Sequence, residues 1–215
     1  MTERNPQAAR RTTYRHGALR PALIEAGLRL ARDGGGPAAI VLREAARQAG
    51  VAPNAAYTYF VDRNALVTAV ANAALAQMAT MMAAEQDSLT LSADPAVAAR
   101  QRFRGVGVGY LRFARTEPGL FRTAFTIGRD ATAMGLSDAA GPTGRSGIEL
   151  LGDALDEMVA AGNMPQERRP GAEYLVWSAV HGMAFLAIDG PLRTLPDDQL
   201  DAMSERMLDM IDRGM

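Results

Sequence analysis

Cysteine and lysine are absent from this 215-residue sequence, and histidine occurs only twice. The lack of cysteine excludes disulfide bonds, thiolate metal ligands and cysteine nucleophiles. The lack of lysine excludes a phosphate-binding loop ending in lysine, and the serine-hydrolase and zinc-protease motifs are also missing. The segment GVGVG at 105–109 lacks the glycine spacing and preceding strand of a dinucleotide loop. We therefore predict no enzyme activity, no cofactor and no metal site.

Long apolar runs are also missing. The sequence has no uninterrupted apolar run of membrane-spanning length, and its N-terminus has no apolar signal core. Hydrophobic residues make up 48% and charged residues 22% of the chain, as in soluble globular proteins. We therefore predict a cytoplasmic protein with no membrane partner.

Positive charge is concentrated at one end. Residues 1–63 contain ten arginines and five acidic residues, a net charge of +5, whereas residues 64–215 carry a net charge of −6. This asymmetry predicts an anion-binding N-terminal part, such as one that binds DNA, on a body that avoids DNA. Residues 1–15 have the composition of a disordered arm, which is either a basic tail that touches DNA or a solvated terminus.

Residues 42–66 have the pattern of two helices joined by a tight turn. Apolar residues recur at helical spacing before Gly50, and glycine suits the left-handed position that ends a helix. Pro53 suits the first turn of a second, short helix, in which Ala56 and Phe60 face inward. The opposite face exposes Asn54, Ala55, Tyr57, Thr58 and Tyr59. This layout fits a helix-turn-helix, although the helix-glycine-helix pattern alone also fits an ordinary antiparallel helix pair.

The aromatic pair and the residues after it resemble the DNA-binding signature of the TetR family of transcriptional regulators. The positions that match are Leu42, Arg43, Ala46, Gly50, Val51, Ala55, Tyr57, Tyr59, Phe60, Asp62, Arg63 and Leu66. The resemblance implies a three-helix head that reads the major groove. Ala52 replaces a usual serine cap, Thr58 a frequent arginine and Tyr59 a common histidine. These departures bear on the operator sequence more than on DNA binding itself.

Three segments of the body resemble the effector domain of one TetR subgroup, known by a Trp-His-Gly signature, and with the first resemblance they cover residues from about 17 to 190. The matching segments are 110–114 (YLRFA), 118–122 (PGLFR) and 177–182 (WSAVHG). The resemblance implies a body that binds an effector, and a homodimer formed by helices 8 and 9 as a four-helix bundle. It also implies a palindromic double-stranded DNA operator, from which the effector releases a repressor; activation is the rarer mode.

Helical periodicity predicts an all-α fold of about nine helices. The predicted ranges are 16–33, 40–49, 53–60, 62–87, 95–115, 118–128, 145–161, 170–189 and 197–213. Residues 129–144 are rich in small residues and are predicted to form a mobile loop. We divide the chain into a DNA-binding helix-turn-helix domain, 1–65, and an effector-binding and dimerisation domain, 66–215.

Eight residues of the head are candidate DNA contacts: Arg43, Pro53, Asn54, Ala55, Tyr57, Thr58, Tyr59 and Arg63. The two tyrosines can donate to phosphates while their rings pack on the head; the alternative is a pair of half-buried structural aromatics. Arg43 and Arg63 suit backbone or base contacts, or are solvated. Asn54, Ala55 and Thr58 are the expected base readers, because slim or amide side chains let a helix lie deep in the groove.

The candidate effector pocket combines methionine and aromatic residues of the body: Met78, Met82, Tyr110, Phe113, Phe121, Phe125, Met158, Trp177 and His181. Such residues are core by default, but they also adapt to apolar ligands, so we predict a small apolar or aromatic effector. His181 has no second histidine nearby and is read as a core histidine or an effector contact, not a metal ligand. The alternative function is a helical small-molecule-binding protein that does not bind DNA.

Overall fold

The computed structural model describes residues 19–126 and 139–215, and these two ranges form helices and turns without a β-strand. The predicted all-α class is confirmed. The helices are α1 (Leu19–Asp33), α2 (Leu42–Gln48), α3 (Pro53–Tyr57), α4 (Arg63–Asp87), α5 (Pro95–Thr116), α6 (Pro118–Ala124), α7 (Gly147–Ala160), α8 (Ala172–Ile188) and α9 (Asp197–Gly214). The predicted arm, 1–15, and most of the predicted loop, 129–144, lie outside the described residues.

Several helix ends differ from the prediction. α3 ends three residues early because the N–H groups of Thr58 and Tyr59 donate to carbonyls three residues back, which tightens the last turn. α8 begins two residues later than predicted, after Gly171 at φ 74°. α9 begins at Asp197, as predicted, and ends one residue later than predicted, at Gly214. Short 3-10 helices, which were not predicted, occupy Pro37–Ala39, Gln166–Arg168 and Pro191–Thr194.

The head forms as the sequence indicates. Gly50 has φ 72°, and the N–H of Val51 donates to the carbonyl of Ala46 at 3.0 Å, which is the hydrogen-bond pattern that closes a helix at a left-handed glycine. Ala52 offers no side-chain cap to α3. Asp62 does cap α4, because its Oδ1 accepts from the N–H of Ala65 at 2.8 Å. The Gly50 turn before α3 and the Asp62 cap after it fix the position of α3 on the head.

α4 belongs to both parts of the molecule. Its first half buries Leu66 and Val70 against α1, and its second half buries Met78 and Met82 in the body. By length and composition alone α4 would also qualify as a membrane span, with a hydropathy of 1.4, which corrects the expectation that no segment does. Half of that window is buried inside the protein, as expected of a central helix shared by the head and the body.

Two glycines of α5 allow close packing. A Cβ added at Gly109 would lie 2.6 Å from Met82 Cα, so α4 and α5 approach too closely there for any other residue. A Cβ at Gly107 would lie 2.6 Å from Cδ2 of Leu208 on α9. Gly109 thus allows the close crossing of α4 and α5, and Gly107 leaves room for Leu208, which also reaches a cavity described below.

α9 is held to α5 largely by ion pairs. Arg104 pairs with Glu205 and Asp209, and Arg115 pairs with Asp197 and Asp201. Only two side chains of α9 are buried among the described residues, those of Leu200 and Leu208. The C-terminal helix thus rests on the body with little apolar burial of its own.

Candidate functional site: an exposed short helix and an apolar cavity

The short helix α3 stands on the head with its outer face open. Pro53, Asn54, Tyr57 and Thr58 are exposed, and the side chain of Tyr57 is 48% accessible. Ala55 is half-buried, whereas Ala56 is fully buried and anchors the inner face of the helix. Two predicted base readers, Asn54 and Thr58, thus share one open surface with the Tyr57 hydroxyl, whereas Ala55, which was predicted to be exposed, is partly covered.

Tyr59 lies differently from Tyr57. It is half-buried and packs against the core of the head, so its ring contributes to the support of the surface. The buried Phe60 follows it, and the guanidinium of Arg20 lies 5.5 Å from the centre of the Phe60 ring. The half-buried ring of Tyr59 fits the structural alternative, and a contact of its hydroxyl with DNA stays a prediction.

The three arginines near α3 differ in how far their guanidinium groups are already engaged by the protein. Arg43 is exposed and has no ion-pair partner among residues 19–126 and 139–215. Arg47 donates twice to Glu44, and this contact lowers the pKa of the Glu44 carboxyl. Arg63 donates to the carbonyls of Ile40, at 2.8 Å, and Pro37, at 2.5 Å. Arg43 is consequently the one of these three arginines whose N–H groups are not engaged by the described residues.

An apolar cavity of about 50 Å³ lies inside the body, between α4, α5, α7, α8 and α9. The described residues that line it are Leu75, Met78, Met82, Phe103, Val106, Gly107, Tyr110, Phe125, Ala139, Ser146, Gly147, Ile148, Leu151, Val176, Trp177, Val180 and Leu208. A void of this volume holds a few heavy atoms at most. A larger ligand therefore requires side chains of the wall to move, and flexible methionines suit that role.

The polar wall of the cavity is a hydrogen-bonded chain. Nε1 of Trp177 donates to the Tyr110 hydroxyl at 3.2 Å, and that hydroxyl lies 2.7 Å from Nδ1 of His181. Burial lowers the pKa of His181 and raises the pKa of Tyr110, so both groups are neutral at pH 7. With the imidazole proton on Nε2, the Tyr110 hydroxyl donates to Nδ1 of His181. The Trp177 N–H and the Tyr110 O–H then both have an acceptor.

The structure brings together five of the nine predicted pocket residues on the cavity wall: Met78, Met82, Tyr110, Phe125 and Trp177. Phe121 and His181 lie immediately behind the wall, with ring centres 5.4 Å apart in a stacked arrangement. Phe113 and Met158 are fully buried core residues away from the described lining. Whether any of these residues contacts a ligand remains a prediction.

Sequence reasoning missed several wall residues. Leu208 is the most informative of them, because it belongs to α9 and reaches the cavity past Gly107 of α5. The glycine in α5 was visible in the sequence, but its partner was not, since nothing local connects positions a hundred residues apart. Ser146 and Gly147, at the start of α7, were missed because they are small and lie at a helix end.

One arginine connects the head, the cavity helix and the end of α8. Arg122 on α6 donates from Nη1 to the carbonyl of Gly35 in the head at 2.9 Å. Its Nη2 donates to Asp189 at 2.6 Å, directly after α8. Phe121 and Phe125 flank Arg122 on either side, and both contact the ring of His181. Arg122 thus bonds α6 directly to the head.

The outer face of α8 is apolar and open. Leu175 is 76% accessible, Phe185 52% and Tyr174 42%, and Gly182 lies between them with no atom within 4 Å of an added Cβ. Met210 of α9 is 74% accessible. Such a continuous apolar stripe is typical of a surface that a second protein surface covers.

These features define a helical protein with an exposed helix-turn-helix in its head and a separate apolar cavity in its body. The chain belongs to the tetracycline-repressor-like family, because residues 103–211 match the model described as "Tetracyclin repressor-like, C-terminal domain". The predicted family and the predicted class of ligand-responsive transcriptional regulator are confirmed. No curated protein matches the chain in sequence.

Solved structures share the fold. A protein of unknown function from Rhodococcus sp. RHA1 is 24% identical, with a TM-score of 0.72 over 95% of this chain and 98% of that one. The transcriptional regulator FadR from Bacillus subtilis, in complex with stearoyl-CoA, is 14% identical with a TM-score of 0.64 over 91% and 98%. A TetR variant from Acinetobacter baumannii AYE, in complex with minocycline, is 19% identical with a TM-score of 0.55 over 89% and 93%.

Proposed function

We propose that this regulator is a homodimeric cytoplasmic repressor that binds a palindromic operator through α3 and leaves it when an apolar effector fills the body. It acts by binding and not by catalysis. The observation that carries the proposal is the open face of α3, where Asn54, Tyr57 and Thr58 are exposed on a helix fixed at both ends. A helix presented in this way fits the major groove.

Two kinds of contact support DNA binding. The Tyr57 hydroxyl and the unpaired Arg43 guanidinium suit phosphates, which position the head on the duplex. Asn54 can form paired hydrogen bonds with adenine, and the slim Ala55 and Thr58 leave room for a base edge. Arg63 already donates to two carbonyls of the head, so we assign it first to holding α4 in place and second to DNA.

The apolar faces of α8 and α9 support a symmetric dimer. Leu175, Phe185 and Met210 together would leave a large apolar surface in water if the chain remained alone. A two-fold axis along these helices places the same patch on both subunits and puts two heads side by side. Two heads require two half-sites, which is the physical reason for a palindromic operator.

The cavity supports the effector part of the proposal. An effector in the body shifts the population between dimer shapes only if it binds one shape better. Arg122 of α6 reaches the head, and Phe125, which directly follows α6, reaches the cavity wall, so a ligand that moves Phe125 favours a different position of the head. The stearoyl-CoA and minocycline complexes of FadR and the TetR variant are consistent with this use of the fold.

DNA retention at two salt concentrations tests the proposal. Duplexes selected from a random pool by the full chain are compared with shuffled sequences, at about 50 and 200 mM salt. We expect a steep loss of affinity with salt and a preference for one palindrome at both concentrations. A small-molecule carrier would show neither, and that outcome would replace the proposal with the alternative function.

Matched variants locate the contacts. Tyr57→Phe is expected to weaken operator binding at least tenfold, since a hydrogen bond to a charged phosphate is lost in each head. Arg43→Ala is expected to reduce the slope of log affinity against log salt by about 1.8, or 0.9 for each phosphate contact. Arg193→Ala removes an exposed guanidinium outside the head and outside α8 and α9 and should alter neither quantity.

A further inference from the structure

The described wall of the cavity contains no ionisable group that is charged at pH 7. Its polar side chains are those of Tyr110, Ser146 and Trp177, and the rest are aliphatic, methionine, phenylalanine or glycine. An ion that moves from water into a cavity with such a wall loses its hydration and gains no counter-ion from the described residues. Carboxylates, phosphates and ammonium groups are thus disfavoured by the composition of the wall.

The three polar side chains are also already engaged. Trp177 donates to Tyr110, and Tyr110 pairs with His181. The hydroxyl of Ser146 donates to Glu149 at 2.8 Å, and the same carboxylate accepts from the Ser146 N–H to form a capping box. All the side-chain donor hydrogens of the described wall are thus in use, so a ligand carbonyl, ether or hydroxyl oxygen would have to break one of these bonds or accept no hydrogen bond.

We infer that the effector of this regulator is a hydrocarbon-like molecule, neutral and without an essential hydrogen-bonding group, whose recognition comes from shape and apolar contact alone. The inference deepens the proposed function, since it names the ligand class of the same cavity. It also separates this chain from regulators of the same fold whose ligands are rich in oxygen or carry phosphates, because the described part of the wall offers such oxygens no free donor and no cation.

The protein supplies its own reporter for the test. Trp177 is the only tryptophan in the chain, and it lies on the cavity wall, so its fluorescence reports ligand binding directly. Four probes that share the carbon skeleton of toluene and differ in their polar group are titrated into the full chain: toluene, benzyl alcohol, benzoate and benzylammonium. Butylbenzene extends the neutral series to a larger size.

We expect a neutral hydrocarbon of this series to change the Trp177 signal in a saturable way. Benzyl alcohol should bind about tenfold more weakly than toluene, and benzoate and benzylammonium at least about 100-fold more weakly. Tighter binding of either ion than of toluene would overturn the inference, because it would require a charged partner in the cavity. So would the failure of every neutral probe to bind.

The variant Tyr110→Phe sharpens the test. It removes the central hydroxyl and leaves the Trp177 N–H and the His181 nitrogen without their partner. Benzyl alcohol can then satisfy them, so we expect its deficit against toluene to shrink severalfold or to reverse. Ser88→Ala, which removes an exposed hydroxyl at the end of α4, away from the cavity wall, serves as the control. An unchanged toluene preference in Tyr110→Phe would contradict the claim that the hydrogen-bonded chain makes the wall apolar.

DNA binding is measured separately in the absence of probes. A chain that binds toluene but retains no operator would refute the proposed function and leave the ligand class intact. A chain that binds its operator but prefers benzoate would refute only the ligand class.

Discussion

Leu208 is the side chain through which α9 takes part in the cavity, and its removal gives the most quantitative prediction. Leu208→Ala deletes three carbon atoms from a side chain that is 1% accessible. At about 0.8 kcal/mol for each buried carbon the transfer loss is about 2.4 kcal/mol. A persistent void of ~50 Å³ adds about 1.2 kcal/mol. We therefore expect a loss of about 3–4 kcal/mol in the free energy of unfolding, measured by urea denaturation.

The same change should alter ligand size. The space left by Leu208 merges with the existing cavity of about 50 Å³, so butylbenzene should bind roughly tenfold more tightly to Leu208→Ala than to the native chain, because the ligand refills the void. Trp177 fluorescence measures this affinity. Toluene, which needs less room, should gain little.

Leu200→Ala is the matched control. Leu200 is also buried and also on α9, but it does not line the cavity. Its truncation should lower stability and leave the affinity for butylbenzene unchanged. If both variants bind butylbenzene equally well, Leu208 is not part of the functional wall and the reasoning fails.

Two further predictions concern contacts that couple or space the helices. Arg122→Gln should lower the free energy of unfolding at neutral pH by about 1–2 kcal/mol, measured by urea titration. Arg122 lowers the pKa of Asp189 below its usual 3.8, so the stabilisation by this pair is present above pH 3.8 and is lost as the pH falls through the lowered pKa. The variant should therefore lose less stability on acidification than the native chain. An acid limb identical to that of Arg193→Gln, a surface control, would contradict this. Gly109→Ala should lower the free energy of unfolding by about 1–3 kcal/mol, because the added Cβ meets the backbone of α4. Gly105→Ala should be close to neutral, because the two atoms nearest to its added Cβ belong to side chains and lie 3.2 Å or more away. Equal melting temperatures for the two variants would refute the close crossing.

The head was largely predictable because its signals are local. Gly50 ends α2 at positive φ, and Asp62 caps α4, and each conclusion needs only a few neighbouring residues. The end of α3 was placed too late, because its tightened last turn depends on how Phe60 enters the core of the head. The exposure of Asn54 and Tyr57 followed from the period of the helix.

The cavity was less predictable because its wall is assembled from five helices. Residue type alone does not distinguish Phe113 and Met158, which are core, from Phe125 and Met82, which line the cavity. The difference is a matter of which face of each helix meets a neighbour distant in the sequence. The double engagement of Arg122 was also outside the reach of a sequence pattern, since Gly35 and Asp189 lie far from it in the chain.

The central claim is that two heads of one symmetric pair read one duplex. Native mass spectrometry of the full chain with its selected palindromic duplex measures this directly, as the number of chains bound to each DNA molecule. We predict two chains for each duplex, and a half-site duplex that is retained far more weakly. A complex of one chain per duplex, or equal retention of the palindrome and a shuffled duplex, would contradict the account.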